Sequence, residues 1–284
     1  MKRILTLGMI LCASVMGFAQ SDTTGKQDKN VPDTIRVGGM IIVRKSGGGR
    51  EILREKKHDD DHVSSGHRKY SKPSNVSTNW WILDLGFSNI DDKTNYASAS
   101  TQSFAPGSTD ETFKMKSLKS RNVNIWFFMQ RLNAIEHVVN IKYGLGLELN
   151  NYFFDDKSVH MLKNPTLITI DPAYAELHKN KLAADYLTAP IMLNINFTPN
   201  RKDGFGISAG VSGGYLYSAR QKIKNGGHKS KTHDDFDLMK WKVSYVGELL
   251  LGPVKLYGSF ATKSMWEKGL DQTPYTVGLR FSNW

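Results

Sequence analysis

The sequence predicts an all-β protein: an eight-stranded antiparallel transmembrane β-barrel behind a mostly disordered N-terminal tail. Three observations carry that reading. Apolar and aromatic residues alternate with polar or small ones along eight stretches, the period-two mark of strands with one greasy face. The connections between the stretches alternate short and long. The polar row of several stretches is built from glycine and serine rather than charge, which suits a narrow lumen better than a surface in water.

The elements follow in order. Lys2 and Arg3 precede an apolar run that reaches Phe18, and Gly17 and Ala19 put small residues at the cleavage positions, so residues 1–19 read as a signal peptide with Gln20 the first mature residue. Cys12 follows the bulky Leu11, which excludes a lipoprotein cleavage site. It is the chain's one cysteine, so disulfides and thiolate chemistry are excluded downstream. Residues 20–78 are polar, basic and rich in Gly and Ser, as expected of a flexible periplasmic tail. Within it, TIRV and MIIVR flank Gly38 and Gly39, a pattern that predicts a β-hairpin over 34–44.

The barrel is expected over 79–284. Its first strand, 80–90, sets Trp81, Leu83, Leu85 and Phe87 against Asp84 and Gly86. The second, 121–130, sets Val123, Ile125, Phe127 and Met129 against Asn122, Asn124, Trp126 and Phe128. The third, 138–153, alternates Ile141, Tyr143, Leu145 and Leu147 with Lys142, Gly144, Gly146 and Glu148. The fourth and fifth, 186–197 and 205–217, repeat the pattern, and three more lie within 240–284 on the rows of Trp241, Leu256 and Phe281. Short connections fall at 131–137, 198–204 and 251–253, long ones at 91–120, 155–185, 218–239 and 264–273. An outer-membrane barrel shows this asymmetry, with short turns periplasmic, long loops outside, and both chain ends periplasmic when the strand number is even.

A soluble eight-stranded barrel would turn its apolar rows inward. The sparse charge of the polar rows, and aromatics near the strand ends such as Trp81, Phe197 and Trp241, favour lipid outside instead. The lumen then holds Asp84, Lys142, Glu148, Lys242, Glu248, Lys255 and Arg280, whose mixed signs predict an interior ion-pair network. Eight strands enclose a space just wide enough for such side chains to fill, which argues against a pore.

The formal charge of +11 is read as solubility and contact with anionic outer-membrane lipids, lipopolysaccharide or polysaccharide rather than with nucleic acid. His58 and His62 bracket Asp59, Asp60 and Asp61, with His67 beyond, and His228, His233, Asp234 and Asp235 form a second group. Both offer metal-ligand chemistry; the first lies in a tail with no predicted scaffold to fix its geometry, and the second is the weaker candidate. A rim enzyme would need a histidine beside Ser or carboxylate; the candidates are His137, His160 and His178, with no Ser-bearing motif near the latter two. Arg220, Lys222, Lys224, Lys229 and Lys231 in the third long connection could meet phosphates or acidic sugars. No catalytic, cofactor-binding or metal-ligating residue is assigned, and a non-enzymatic role in the envelope is expected.

The segments NIWFFMQRLN, VNIKYGLGLELNNY, NKLAADYLTAPIMLNINFTP and DQTPYTVGLRFSNW, with a tail of the DTIRVGGMIIVRK type, resemble the PorT-like outer-membrane β-barrel proteins of Bacteroidetes. The resemblance implies an integral outer-membrane barrel. Some relatives look like accessory parts of a protein secretion apparatus, which would engage a periplasmic or secretion-machinery protein through the tail; a lipid-modifying enzyme is the further alternative. Trp284 departs from the pattern, being out of phase with Tyr275, Val277, Leu279 and Phe281. Either a bulge near Ser282 restores the phase, or Phe281 is the working terminal aromatic.

Overall fold

The computed structural model describes the strand segments 34–37, 40–44 and 50–54, and residues 74–282 apart from 177, 200–203 and 226–227. The signal peptide, the His58, His62 and His67 group and Trp284 lie outside the described residues. The chain divides into two units, Met1–Lys69 and Tyr70–Trp284. In the first, β1 (Thr34–Val37), β2 (Met40–Arg44) and β3 (Arg50–Arg54) form an antiparallel sheet in that order. The sequence reading anticipated no strand at β3.

In the second unit eight strands close a ring: β4 (Val76–Asp92), β5 (Arg121–Ile135), β6 (Val139–Phe153), β9 (Lys179–Asn196), β10 (Phe205–Asn225), β12 (Trp241–Leu251), β13 (Val254–Ala261) and β14 (Gln272–Phe281). Each pairs antiparallel with its neighbour in the chain, and β14 pairs back to β4, with Arg280 opposite Asp84. Two short strands, β7 (Val159–Leu162) and β8 (Leu167–Ile170), form a hairpin in the second long connection. No helix among the described residues is long and apolar enough to cross a membrane.

Alternation places the apolar rows outside. Trp81 is 72% exposed, Phe197 65% and Trp241 69%, whereas Asp84, one residue from Leu83, is wholly buried. Most exposed aromatics gather in two rows, with Trp80, Trp81, Phe197, Phe205 and Phe281 toward the short turns and Phe87, Tyr215, Tyr217 and Trp241 toward the long loops, while Tyr245 and Phe260 lie between them. Ten residues separate Phe205 from Tyr215; at ~3.4 Å per residue and ~40° of tilt they span ~26 Å of height, the thickness of a barrel's apolar band.

Two irregularities correct the expected faces. The β5–β6 register shifts between Trp126 and Phe128, opposite Trp81, whose φ is +55°. The bulge flips the alternation, so Met129, expected on the lipid face, is buried with Ile82, Trp126 and Met192, and Trp80 joins Trp81 outside. A second bulge, between Leu216 and Ser218, lies at the upper edge of the aromatic row. Beyond it Ala219 and Gln221 are buried while Arg220 and Lys222 remain partly exposed.

The expected ends of four strands are also corrected: β4 begins at Val76, inside the residues read as tail, and β5 runs on to Ile135 through the short connection expected at 131–137. β9 begins at Lys179 and β10 continues to Asn225, so residues read as loop are sheet. β10 then turns back as β11 (His228–His233), which pairs with its last six residues, Arg220 to Asn225. Charged residues hid the extensions of β9 and β10, because a lipid-facing row cannot carry lysine and a row in water can.

The same change of surroundings inverts the interior. At the long-loop end the inside of the barrel is apolar: Tyr152, Leu182 and Ala184 from the strands pack with Phe104, Phe113, Val159, Ile168, Leu238 and Trp266 from the connections. A short helix, α1 (Ala99–Phe104), capped by Ser98, brings Phe104 to Trp266 with ring centroids 5.8 Å apart. Thr101 Oγ1 donates to the Gly269 carbonyl at 2.6 Å, tying the first connection to the fourth. Gln221 fastens the second connection from below, donating to the Val159 carbonyl at 2.9 Å and accepting from the Met161 amide at 3.0 Å.

Candidate functional site

The polar residues that the alternation turns inward meet in the middle of the barrel. Cross-strand register sets Arg280 beside Asp84, Asp84 beside Asn124, Asn124 beside Glu148, and Ser208 beside Glu248. Three carboxylates, Asp84, Glu148 and Glu248, face three cations, Lys142, Lys242 and Arg280. Arg280 grips Asp84 with both forks, Nε to Oδ1 at 2.7 Å and a terminal nitrogen to Oδ2 at 2.6 Å, and its other terminal nitrogen pairs with Glu248. Glu248 also receives Lys142 and, at 2.9 Å, the Ser208 hydroxyl. Lys242 donates to Glu148 at 2.5 Å, joined by Asn150 at 2.9 Å. Burying a charge is tolerable only when it is paired and its remaining hydrogen-bond sites are filled, and here the numbers balance.

Neutral donors complete the network. Trp126 Nε1 reaches Asp84 Oδ2 at 2.7 Å and Asn124 reaches the same oxygen at 3.1 Å. Asn122 bridges Asn124 and Asn150 at 2.9 and 2.8 Å and accepts from the Tyr257 hydroxyl. Arg280 lies over the Trp126 ring at 5.3 Å, and Lys242 over Tyr186 at 4.3 Å. Room for these large side chains comes from glycine: a Cβ at Gly278 would meet the Gly86 Cα and the Leu85 carbonyl at 2.4 Å. The cavity among Trp126, Glu148, Glu248, Tyr257 and Arg280 is about 30 Å³, room for a water or so.

All seven charged residues predicted for the lumen are inward: six belong to this ion-pair network, and Lys255 donates to the Ser282 carbonyl at 2.5 Å. Tyr257 was missed because an aromatic suggests the lipid face; its parity with Lys255 was the available signal. The histidine candidates do not converge. His137 sits at a turn with φ +60°, His160 stacks on Tyr174 at 4.6 Å, and His178 is exposed. His228 and His233 are five residues apart on β11, hence on opposite faces and ~17 Å apart. Among the described residues no three metal-ligating side chains group together.

The sequence profile of the outer membrane protein beta-barrel domain matches residues 84–260, from the centre of β4 to the end of β13. Among solved structures, Ail, the attachment invasion locus protein of Yersinia pestis, is similar at 10% identity and a TM-score of 0.29, over 72% of this chain and 98% of that one. No curated protein matches the chain. With an apolar belt outside and the family's profile running along most of its strands, the chain belongs to the outer membrane protein β-barrel domain family, an outer-membrane location following from that membership.

Proposed function

We propose that the chain is a non-enzymatic structural or interaction protein of the cell envelope, with a closed, side-chain-filled lumen. The observation that carries this reading is the balanced set of buried ion pairs across the barrel, with an apolar loop core above it. In this reading the chain is exported by the signal peptide over 1–19 and stands with both termini periplasmic and its long loops outside. It belongs with the PorT-like barrels of Bacteroidetes whose segments it resembles, and it contacts outer-membrane lipids and lipopolysaccharide. Conductance across planar bilayers holding the purified chain tests the lumen: the proposal expects a silent bilayer, and steady unitary openings would sink it.

A second reading, an accessory component of a protein secretion or assembly machine, is favoured by the separate sheet of β1, β2 and β3 ahead of the barrel. A mild-detergent pull-down with a tag in the second long connection tests it. A stoichiometric periplasmic or secretion-machinery partner that is lost on deletion of 21–73 would establish the accessory role, and recovery of the barrel alone would leave the first reading.

A further inference from the structure

Above the aromatic row on one side of the barrel, the outer wall carries positive charge in excess. Register sets Lys181 opposite Lys222 and Lys179 opposite Lys224, and sets Lys222 and Lys224 in turn opposite Lys231 and Lys229 of β11. Like charges placed directly across a sheet destabilise it, and an anion lying over such a ladder would relieve that cost. Little on the chain itself does. Asp185, the acid on this stretch of β9, pairs with Arg220, and no ion pair joins Lys119, Arg121, Lys179 or Lys181 to an acid among the described residues. The Lys181 ammonium is pushed down to about 8, chiefly by burial and further by Lys179, Lys222 and Arg220 around it, with Asp185 opposing them.

The wall is also shaped. Lys119, Arg121, Asn151, Phe153, Lys179 and Lys181 line an open groove of about 510 Å³. Phe153 is its platform, with the two lysine ammoniums 4.9 and 5.1 Å from the ring centroid, and Lys181 donates to Asn151. Arg121 and Val123 form the ridge between this groove and a second one of about 410 Å³, walled by Leu85, Phe87 and the largely exposed Leu118. Leu85 and Phe87 belong to the outward apolar row, so the second groove runs into the lipid-facing belt. A cationic groove at the edge of the belt, beside an apolar one that continues into it, matches an amphiphile with anionic groups at the membrane surface and acyl chains below.

We propose that this wall binds the phosphate groups of lipid A, the phosphorylated glycolipid of the outer leaflet. Lys179, Lys181, Arg121 and Lys119 meet the phosphates, and an acyl chain lies along Leu85, Phe87 and Val123. Arg supplies forked donors and Lys mobile point charges, the usual pairing for phosphate. The inference rests on the proposed orientation with the long loops outside.

The test is titration of the detergent-purified full chain with diphosphorylated lipid A, followed by native mass spectrometry. The unmodified chain should hold one lipid, and K179Q/K181Q should bind it about 25-fold more weakly, each lost surface cation removing about five-fold. Both proteins should keep the heat-dependent gel shift of a folded barrel, which separates lost binding from lost folding. Equal affinity in the folded variant would overturn the site, as would equal binding of lipid A stripped of its phosphates or displacement by millimolar inorganic phosphate. Orientation is read separately, by protease cleavage of a tag in the second long connection on intact cells. A tag that stays protected would remove the wall's access to this leaflet whatever the affinity measured in detergent.

Discussion

Replacing Arg280 with methionine would leave two buried carboxylates short of a cation while keeping most of the side chain's length. Arg280 makes the bidentate contact with Asp84 at 2.6 and 2.7 Å, pairs with Glu248, and covers the Trp126 and Tyr257 rings at 5.3 and 5.8 Å. Removing one member of a buried ion pair costs about 3–5 kcal/mol. Asp84 would keep the Trp126 and Asn124 donors and Glu248 would keep Lys142 and Ser208, so the low end, about 3 kcal/mol, is expected. Asp84→Asn in the same background removes one stranded charge and should return about 1–2 kcal/mol. The two substitutions would then be non-additive, with a coupling of about 2 kcal/mol, as contacting members of one network are. Urea unfolding of the chain in phospholipid vesicles, followed by tryptophan fluorescence and heat-dependent gel migration, gives each stability. A loss below about 1 kcal/mol for Arg280→Met, or additive losses in the double variant, would refute the argument that these buried charges depend on one another for their pairing.

Three other outcomes are expected. Gly278→Ala should abolish folding into vesicles, since its Cβ would meet backbone at 2.4 Å, whereas Gly213→Ala, with nothing within 4 Å, should fold as well as the parent; folding yield by gel shift compares them. Phe104→Ala should cost about 3–5 kcal/mol locally, opening the loop core to limited proteolysis while the barrel's gel shift persists. For Lys181, the folded value of about 8 lies below the unfolded 10.5, so the unfolded chain binds more protons between them and folded stability rises with pH across that window. The urea midpoint should therefore climb between pH 8 and 10, and less so in Lys222→Gln, which removes one of the neighbours depressing Lys181; an equal climb in both would refute the cause assigned.

Much of this barrel was legible in the residue order because a strand in a membrane obeys one local rule. Each outward residue faces lipid and each inward residue does not, so parity alone sorted Asp84, Lys142, Glu148, Lys242, Glu248 and Arg280 into the lumen. Their mixed signs then required pairing. Parity could not tell which cation meets which carboxylate, because Arg280 and Asp84 are brought together by ring closure between the last strand and the first of the barrel. It also failed at Met129 and beyond Tyr217, where bulges reset the alternation from one residue to the next. Above the aromatic row the surroundings change from lipid to water, and the rule reverses: lysines move outside, and Phe104, Phe113 and Trp266 close over the interior. That core joins residues from connections far apart in the chain. The sequence by itself determined which side of the membrane-level strands meets lipid wherever the alternation runs unbroken by a bulge, because that choice depends on neighbours two residues away. The tertiary structure decided the pairing of the charges, the loop core and the cationic wall, because each depends on residues that only the closed ring makes neighbours.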